Sequence, residues 1–147
     1  MNASKIDAAV HLDPATDSSQ PSRKQRQWWS VITIVLVFAI FAQAVFAGAM
    51  LSGFDWGRTA HSVGAIVLIA ATLSAGLVAI VTLRQITHGP KLGLTLLLLA
   101  AAIFLQTAVG RAAAKGDNLL WLHVPLGVAL VGFAGQAVTG ARRLGGE

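Results

Sequence analysis

Four long blocks without a single aspartate, glutamate, lysine or arginine divide this chain, and short polar segments separate them. Each block supplies about the 20 apolar residues that a helix needs to cross a hydrocarbon core about 30 Å thick. A soluble domain of 147 residues would have to hide four helices that are apolar almost all round. The pattern therefore predicts an all-α, integral membrane four-helix bundle with spans at about 28–51, 59–83, 92–110 and 119–141.

Polar segments flank the predicted bundle, which occupies 28–141. Residues 1–27 are rich in aspartate, serine and proline, which predicts a disordered tail. Residues 142–147 form a short second tail. Trp28 and Trp29 follow the first tail, where aromatic side chains typically mark a membrane interface.

Basic residues near the span ends predict the orientation, because cytoplasmic loops carry an excess of lysine and arginine. Three basic residues, Arg58, Arg111 and Lys115, lie on one predicted side of the membrane. Seven lie on the other side, so both termini are predicted to be cytoplasmic. The seven are Arg23, Lys24, Arg26, Arg84, Lys91, Arg142 and Arg143.

Composition removes several classes of function. The chain has no cysteine, which excludes disulfides, iron–sulfur clusters and thiolate metal sites. It offers no Ser–His–acid set, no phosphate-binding loop and no carboxylate inside a span, so hydrolase, NTPase and carboxylate-dependent pump functions have no support. The net charge of +5 follows the orientation rule and does not indicate nucleic-acid binding.

Two histidines stand near the starts of spans 2 and 4. Those spans run in the same direction, and the positions of His61 and His123 within them differ in depth by only about 3 Å. Paired imidazoles at one depth are a natural ligand set for haem iron, which predicts a b-type haem and an iron site at His61 and His123. Alternatively, each histidine is an interfacial residue bonded to backbone or water. A zinc site would need further ligands that the spans do not offer.

A glutamine precedes each histidine, which suggests that the two helix pairs are pseudo-repeats. Gln43 lies 18 residues before His61, and Gln106 lies 17 residues before His123. Either amide can bond the other, a cofactor edge or a substrate. The simpler interpretation is an interhelical hydrogen bond worth about 1 kcal/mol, because it requires nothing else.

Small residues follow His61 at helical spacing, which predicts a face packed in the bundle or against a flat ligand. Gly127 follows His123 by four residues and is a candidate cofactor contact. A second small or polar stripe comprises Gly132, Gly135, Gln136 and Thr139. Gly64, three residues after His61, is the other candidate cofactor contact. It begins the stripe after His61, which comprises Gly64, Ala65, Leu68, Thr72, Ala75, Gly76 and Ala79.

Arg58 and Arg111 need a reason to lie on the outer side. Arg58 stands three residues before His61, and Arg111 directly follows span 3. Guanidinium groups pair well with carboxylates, so both are predicted to hold the haem propionates. The alternative is that both reach toward lipid phosphates.

The repeated pattern of a glutamine near the end of one span and a histidine near the start of the next resembles one four-helix half of the haem A synthase family. The string LHVPLGVALVGFAG is similar to the histidine-bearing span of small four-helix membrane proteins of bacteria. The resemblance covers about 30–141. It implies a bacterial cytoplasmic membrane, with His61 and His123 at the positions of the family's haem ligands. It does not extend to the oxygenating chemistry: only one bundle is present, the family's cysteine pair is missing, and Arg58 replaces an acidic residue.

The predicted function is therefore a membrane protein that binds haem b near the outer face, for electron transfer or haem handling. Bis-histidine ligation leaves no open iron position, which argues against oxygen activation; any catalysis would be that of a haem-dependent oxidoreductase. The alternative is a cofactor-free membrane partner or assembly subunit of a larger complex. Expected partners are the lipid bilayer and either a membrane redox protein or a second copy of the chain, with no nucleic acid.

Overall fold

The computed structural model describes residues 20–144, and these residues form four helices and no strand. The helices are α1 (Arg23–Leu51), α2 (Asp55–Thr82), α3 (Gly89–Ala114) and α4 (Leu120–Arg143). At 1.5 Å per residue they are about 36–44 Å long. All four are long and apolar enough to cross a membrane. The all-α four-helix architecture and the multi-pass character expected from the sequence are confirmed.

The helices extend beyond the predicted spans, because polar residues continue a helix until a cap or a turn stops it. Helix α1 begins at Arg23, so residues 23–27 are helical rather than part of a disordered tail. The side chain of Ser22 caps this helix by accepting a 3.1 Å hydrogen bond from the backbone N–H of Gln25. The rest of the predicted tail, 1–19, and residues 145–147 lie outside the described residues.

Helix α3 starts inside the segment 84–91, which the predicted spans left as a connection between the second and third helices. Gly89 and Pro90 open the helix, at the position where proline costs least because its missing N–H would have no partner. His88, the N-cap residue of α3, precedes them with a φ of 68°, a left-handed conformation that redirects the chain just before the helix begins. The connection is therefore shorter than predicted.

The helices form an up-down-up-down bundle in which each contacts two neighbours. The contacting pairs are α1–α2, α2–α3, α3–α4 and α4–α1. Within the described part of the chain, α2 and α4 have no Cα pair within 8 Å and so lie on a diagonal. This is the arrangement in which two helices can present side chains to each other across the bundle axis.

The buried core fills only part of the bundle. It runs from the chain-terminal end to the level of Ile40, Leu68, Ile103 and Leu130. Beyond that level, toward the loops 52–54 and 115–119, Gly57 is the only buried residue among those described. We call this half the histidine end and the opposite half the terminal end.

The predicted inner face of span 2 is confirmed, whereas most of the small and polar stripe of span 4 faces outward. Four members of the α2 stripe are buried, namely Leu68, Thr72, Gly76 and Ala79. In α4 the stripe of Gly132, Gln136 and Thr139 is exposed. The buried face of α4 consists of Leu130, Ala134, Ala137 and Ala141.

Only one of the two tryptophans predicted at the interface faces outward. Trp28 is 64% exposed, whereas Trp29 is 6% exposed and packs in the core. Consecutive helical residues point about 100° apart, so both indoles cannot share one environment.

Candidate functional site

The two histidines predicted to act together meet at the histidine end. The centroids of the His61 and His123 rings are 6.4 Å apart, and the ring planes are at 84° to each other. The rings come from α2 and α4, the diagonal pair, and both residues are half-buried. The expectation that they share one depth is confirmed, while their role as haem ligands stays a prediction.

A backbone carbonyl orients the ring of His61. Its Nδ1 atom lies 3.2 Å from the carbonyl oxygen of Gln43 on α1. A carbonyl can only accept, so in this contact Nδ1 carries the hydrogen and donates it. In the neutral ring, Nε2 is then left with a lone pair, which is the state a metal requires.

The ring of His123 packs against the backbone of α3 at a glycine. A Cβ atom built on Gly110 would lie 2.6 Å from Cε1 of His123 and 3.1 Å from its Nδ1. Among the described residues, that buried Nδ1 has no hydrogen-bond partner. Sequence analysis did not identify Gly110; the available signal was its place four residues after Gln106, on the same helical face.

The two glutamines lie beside the histidines, and one of them links two helices. Nε2 of Gln106 donates a 2.7 Å hydrogen bond to the backbone oxygen of His123. This bond joins α3 to α4, as the interhelical interpretation predicts. The Oε1 atoms of Gln43 and Gln106 are buried and, among the described residues, have no hydrogen-bond partner.

The two candidate glycines face these glutamine amides. A Cβ atom on Gly127 would lie 3.1 Å from Nε2 of Gln106, and one on Gly64 would overlap the amide of Gln43. Each glycine lies 21 residues after its glutamine, so the same contact recurs in both helix pairs. The glycines let the amides approach the α2 and α4 backbones; their contact with a cofactor stays a prediction.

The two arginines predicted to lie on the outer side each precede one histidine in sequence and are exposed. Arg58 is in the first turn of α2, three residues before His61, and Arg111 is in the last turn of α3, directly after Gly110. The guanidinium groups are therefore free to pair with an anion at this end of the bundle.

The donor set suits a metal that takes only two protein ligands. Within residues 20–144, no group of three or more histidine, aspartate or glutamate side chains is placed to hold a metal ion. A closed zinc site, which needs four protein ligands, therefore has no support there. Haem iron needs only two, because the porphyrin supplies the other four.

Comparisons of the chain with protein-family models, with curated proteins and with solved structures give no significant match. The similarity to haem A synthase therefore rests on the glutamine and histidine pattern alone. The geometry of the four residues Gln43, His61, Gln106 and His123 is what can be used to infer a function.

Proposed function

We propose that the chain binds one haem b through His61 and His123 in a bacterial cytoplasmic membrane, for electron transfer or haem handling. The observation that carries this proposal is the 6.4 Å between the two ring centroids. An imidazole bound to a metal has a metal–nitrogen bond of about 2 Å, and its ring centroid lies about 1 Å beyond that nitrogen. The centroids of two imidazoles bound on opposite sides of one iron would therefore be about 6 Å apart. The spacing of the two ring centroids is therefore compatible with both imidazoles holding one iron.

The hydrogen bonding of the pair supports the same function. Histidines that bind a metal usually donate their other N–H to a carbonyl or a carboxylate. His61 makes this bond to the backbone of Gln43. Among the described residues, the buried Nδ1 of His123 has no such partner, so this support comes from His61 alone.

The end of the buried core supports a ligand at this level. The close-packed interior stops at Ile40, Leu68, Ile103 and Leu130, and beyond that level Gln43, His61, Gln106 and His123 are half-buried among half-buried apolar side chains. Natural bundles are normally packed to high density throughout. A flat apolar group between α2 and α4 would continue the core toward the loops.

The residues of this chain would have two tasks in such a site. Haem supplies a one-electron iron couple when it is bound. His61 and His123 would hold the iron between them and so would keep oxygen from it. Arg58 and Arg111 offer guanidinium groups to carboxylates such as the propionates. The basic-residue count favours the outer face of the membrane for this end of the bundle.

A cofactor-free subunit of a larger membrane complex is the second candidate, and the ring geometry is the observation that favours it. Rings at 84° and 6.4 Å pack edge to face without any ligand. The bond from Gln106 to His123 likewise holds α3 against α4 in the absence of a cofactor. In that case the polar residues would stabilise the bundle and nothing more.

The absorption spectrum of the detergent-purified protein separates the two candidates. Under the haem proposal the protein is red with a sharp Soret band at one haem per chain. His61→Ala and His123→Ala each abolish or strongly shift that band. The matched control is His88→Asn, since asparagine tolerates the φ of 68° found there. A folded, colourless protein that takes up no added hemin would establish the cofactor-free candidate instead.

A further inference from the structure

A basic pocket opens at the terminal end of the bundle, away from the histidines. It lies between the start of α1 and the end of α4 and has a volume of about 840 Å³. The side chains that matter here are three cations and three apolar or aromatic groups. They are Lys24, Arg26, Arg142, Trp28, Val31 and Ala141.

No carboxylate in the described structure balances these three cations. The acidic residues within 20–144 are Asp55 and Asp117, and both lie at the histidine end. Lys24 and Arg26 also stand in the first turn of α1, where the helix dipole disfavours positive charge and where no acidic residue occurs. An anion in the pocket would therefore relieve repulsion between cations and would interact favourably with the helix terminus.

The other side of the pocket indicates what kind of anion it takes. Val31 is 50% exposed and Trp28 is 64% exposed, so an apolar wall continues from the cations along the surface of α1. Tryptophan prefers the level of the lipid headgroups, and basic pockets between membrane helices suit anionic headgroups. A free phosphate would use the cations but not this wall.

We infer that this pocket binds the phosphate headgroup of an anionic phospholipid, with the first part of an acyl chain along Trp28 and Val31. Three cations from two helices hold the headgroup. The inference is independent of the histidine pair and of haem, because the pocket lies at the opposite end of the bundle.

Native mass spectrometry of the full-length protein, released from detergent in the presence of added lipid, tests this inference. Phosphatidylglycerol should be retained, and phosphatidylcholine with the same acyl chains should not. The triple variant Lys24→Gln, Arg26→Gln, Arg142→Gln should bind phosphatidylglycerol about 100-fold more weakly, at about fivefold per cation. The control is a triple variant that replaces three exposed cations at the same end of the bundle but outside the pocket. Its affinity for phosphatidylglycerol should stay within about twofold of the wild-type value. The control variant is Arg84→Gln, Lys91→Gln, Arg143→Gln.

Several outcomes would overturn the inference. If both triple variants lost phosphatidylglycerol binding equally, the lipid would be attracted to the basic surface in general and not to this pocket. Displacement of the lipid by excess inorganic phosphate would show that the apolar wall contributes nothing. If the wild type binds no anionic lipid but the variant Asp7→Asn, Asp13→Asn, Asp17→Asn does, the acidic N-terminal segment of the chain occupies the pocket instead.

Discussion

Gln106 on α3 donates a 2.7 Å hydrogen bond from Nε2 to the backbone oxygen of His123 on α4. Hydrogen bonds between membrane helices contribute about 0.6–2 kcal/mol, so Gln106→Leu should lower the free energy of unfolding by about 1 kcal/mol. Titration with a denaturing detergent in mixed micelles measures this change. The control is Gln136→Leu, since Gln136 is exposed on α4 and leucine suits a lipid-facing position. Equal effects of the two substitutions would mean that the bond from Gln106 adds no stability.

Gly110→Ala should disturb the site more than any other glycine substitution on α3 or α4. The new methyl group would lie 2.6 Å from Cε1 of His123, closer than carbon atoms approach, so the ring must move. Under the haem proposal, the Soret band should shift or its intensity per chain should fall. Gly132→Ala is the control, because nothing lies within 4 Å of a Cβ there. A normal spectrum for Gly110→Ala would show that the observed position of the His123 ring is not needed for haem binding.

Removing the outer arginines should loosen haem and lower its midpoint potential. A nearby cation favours the reduced, less positive iron, so Arg58→Gln and Arg111→Gln should each shift the potential downward and the double variant further. Loss of a charge-assisted hydrogen bond worth about 1.5–3 kcal/mol should weaken haem binding by at least about tenfold. Lys115→Gln serves as the control, because it removes one charge from the same end of the bundle. With haem still bound, an unchanged potential in the double variant would assign both arginines to lipid contact.

The orientation can be tested without background labelling, because the chain contains no cysteine. Single cysteines at Ser19 or Gly146 should resist an impermeant thiol reagent in intact cells, since the basic-residue count places both termini inside. A cysteine at Asn118, in the exposed loop 115–119, should react. The reverse pattern would place the histidine end at the cytoplasmic face.

The number, order and approximate position of the helices could be predicted because each has its own uncharged block. The helix ends could not, because lipid sets the length of an apolar block while caps and turns set the length of a helix. Arg23 to Gln27 are helical since Ser22 provides a cap. Gly89 and Pro90 begin α3 since His88 takes the left-handed turn before them.

The pairing of His61 with His123 could also be predicted, because co-directional spans place residues of similar position at similar depth. The rotation of each helix about its own axis could not. In α4 the exposed Gly132 and Gln136 look like an inner face by residue type, yet Ala134 and Ala137 are buried. Lipid accepts small residues on the outside, so residue size alone does not reveal which side of a membrane helix faces inward.

Helices α2 and α3 approach each other closely through two glycines, and this has a consequence for how the site is made during synthesis. A Cβ on Gly76 would meet Leu97, and a Cβ on Gly93 would meet the backbone of Ile80, so this hairpin fits together without any part of α4. His123 is synthesised 62 residues after His61, which corresponds to roughly 3–12 s of translation. During that interval the chain carries the imidazole of His61 without its partner ring, while the rest of α2 and then α3 are made. The arrival of the last helix is then the event that completes the pair.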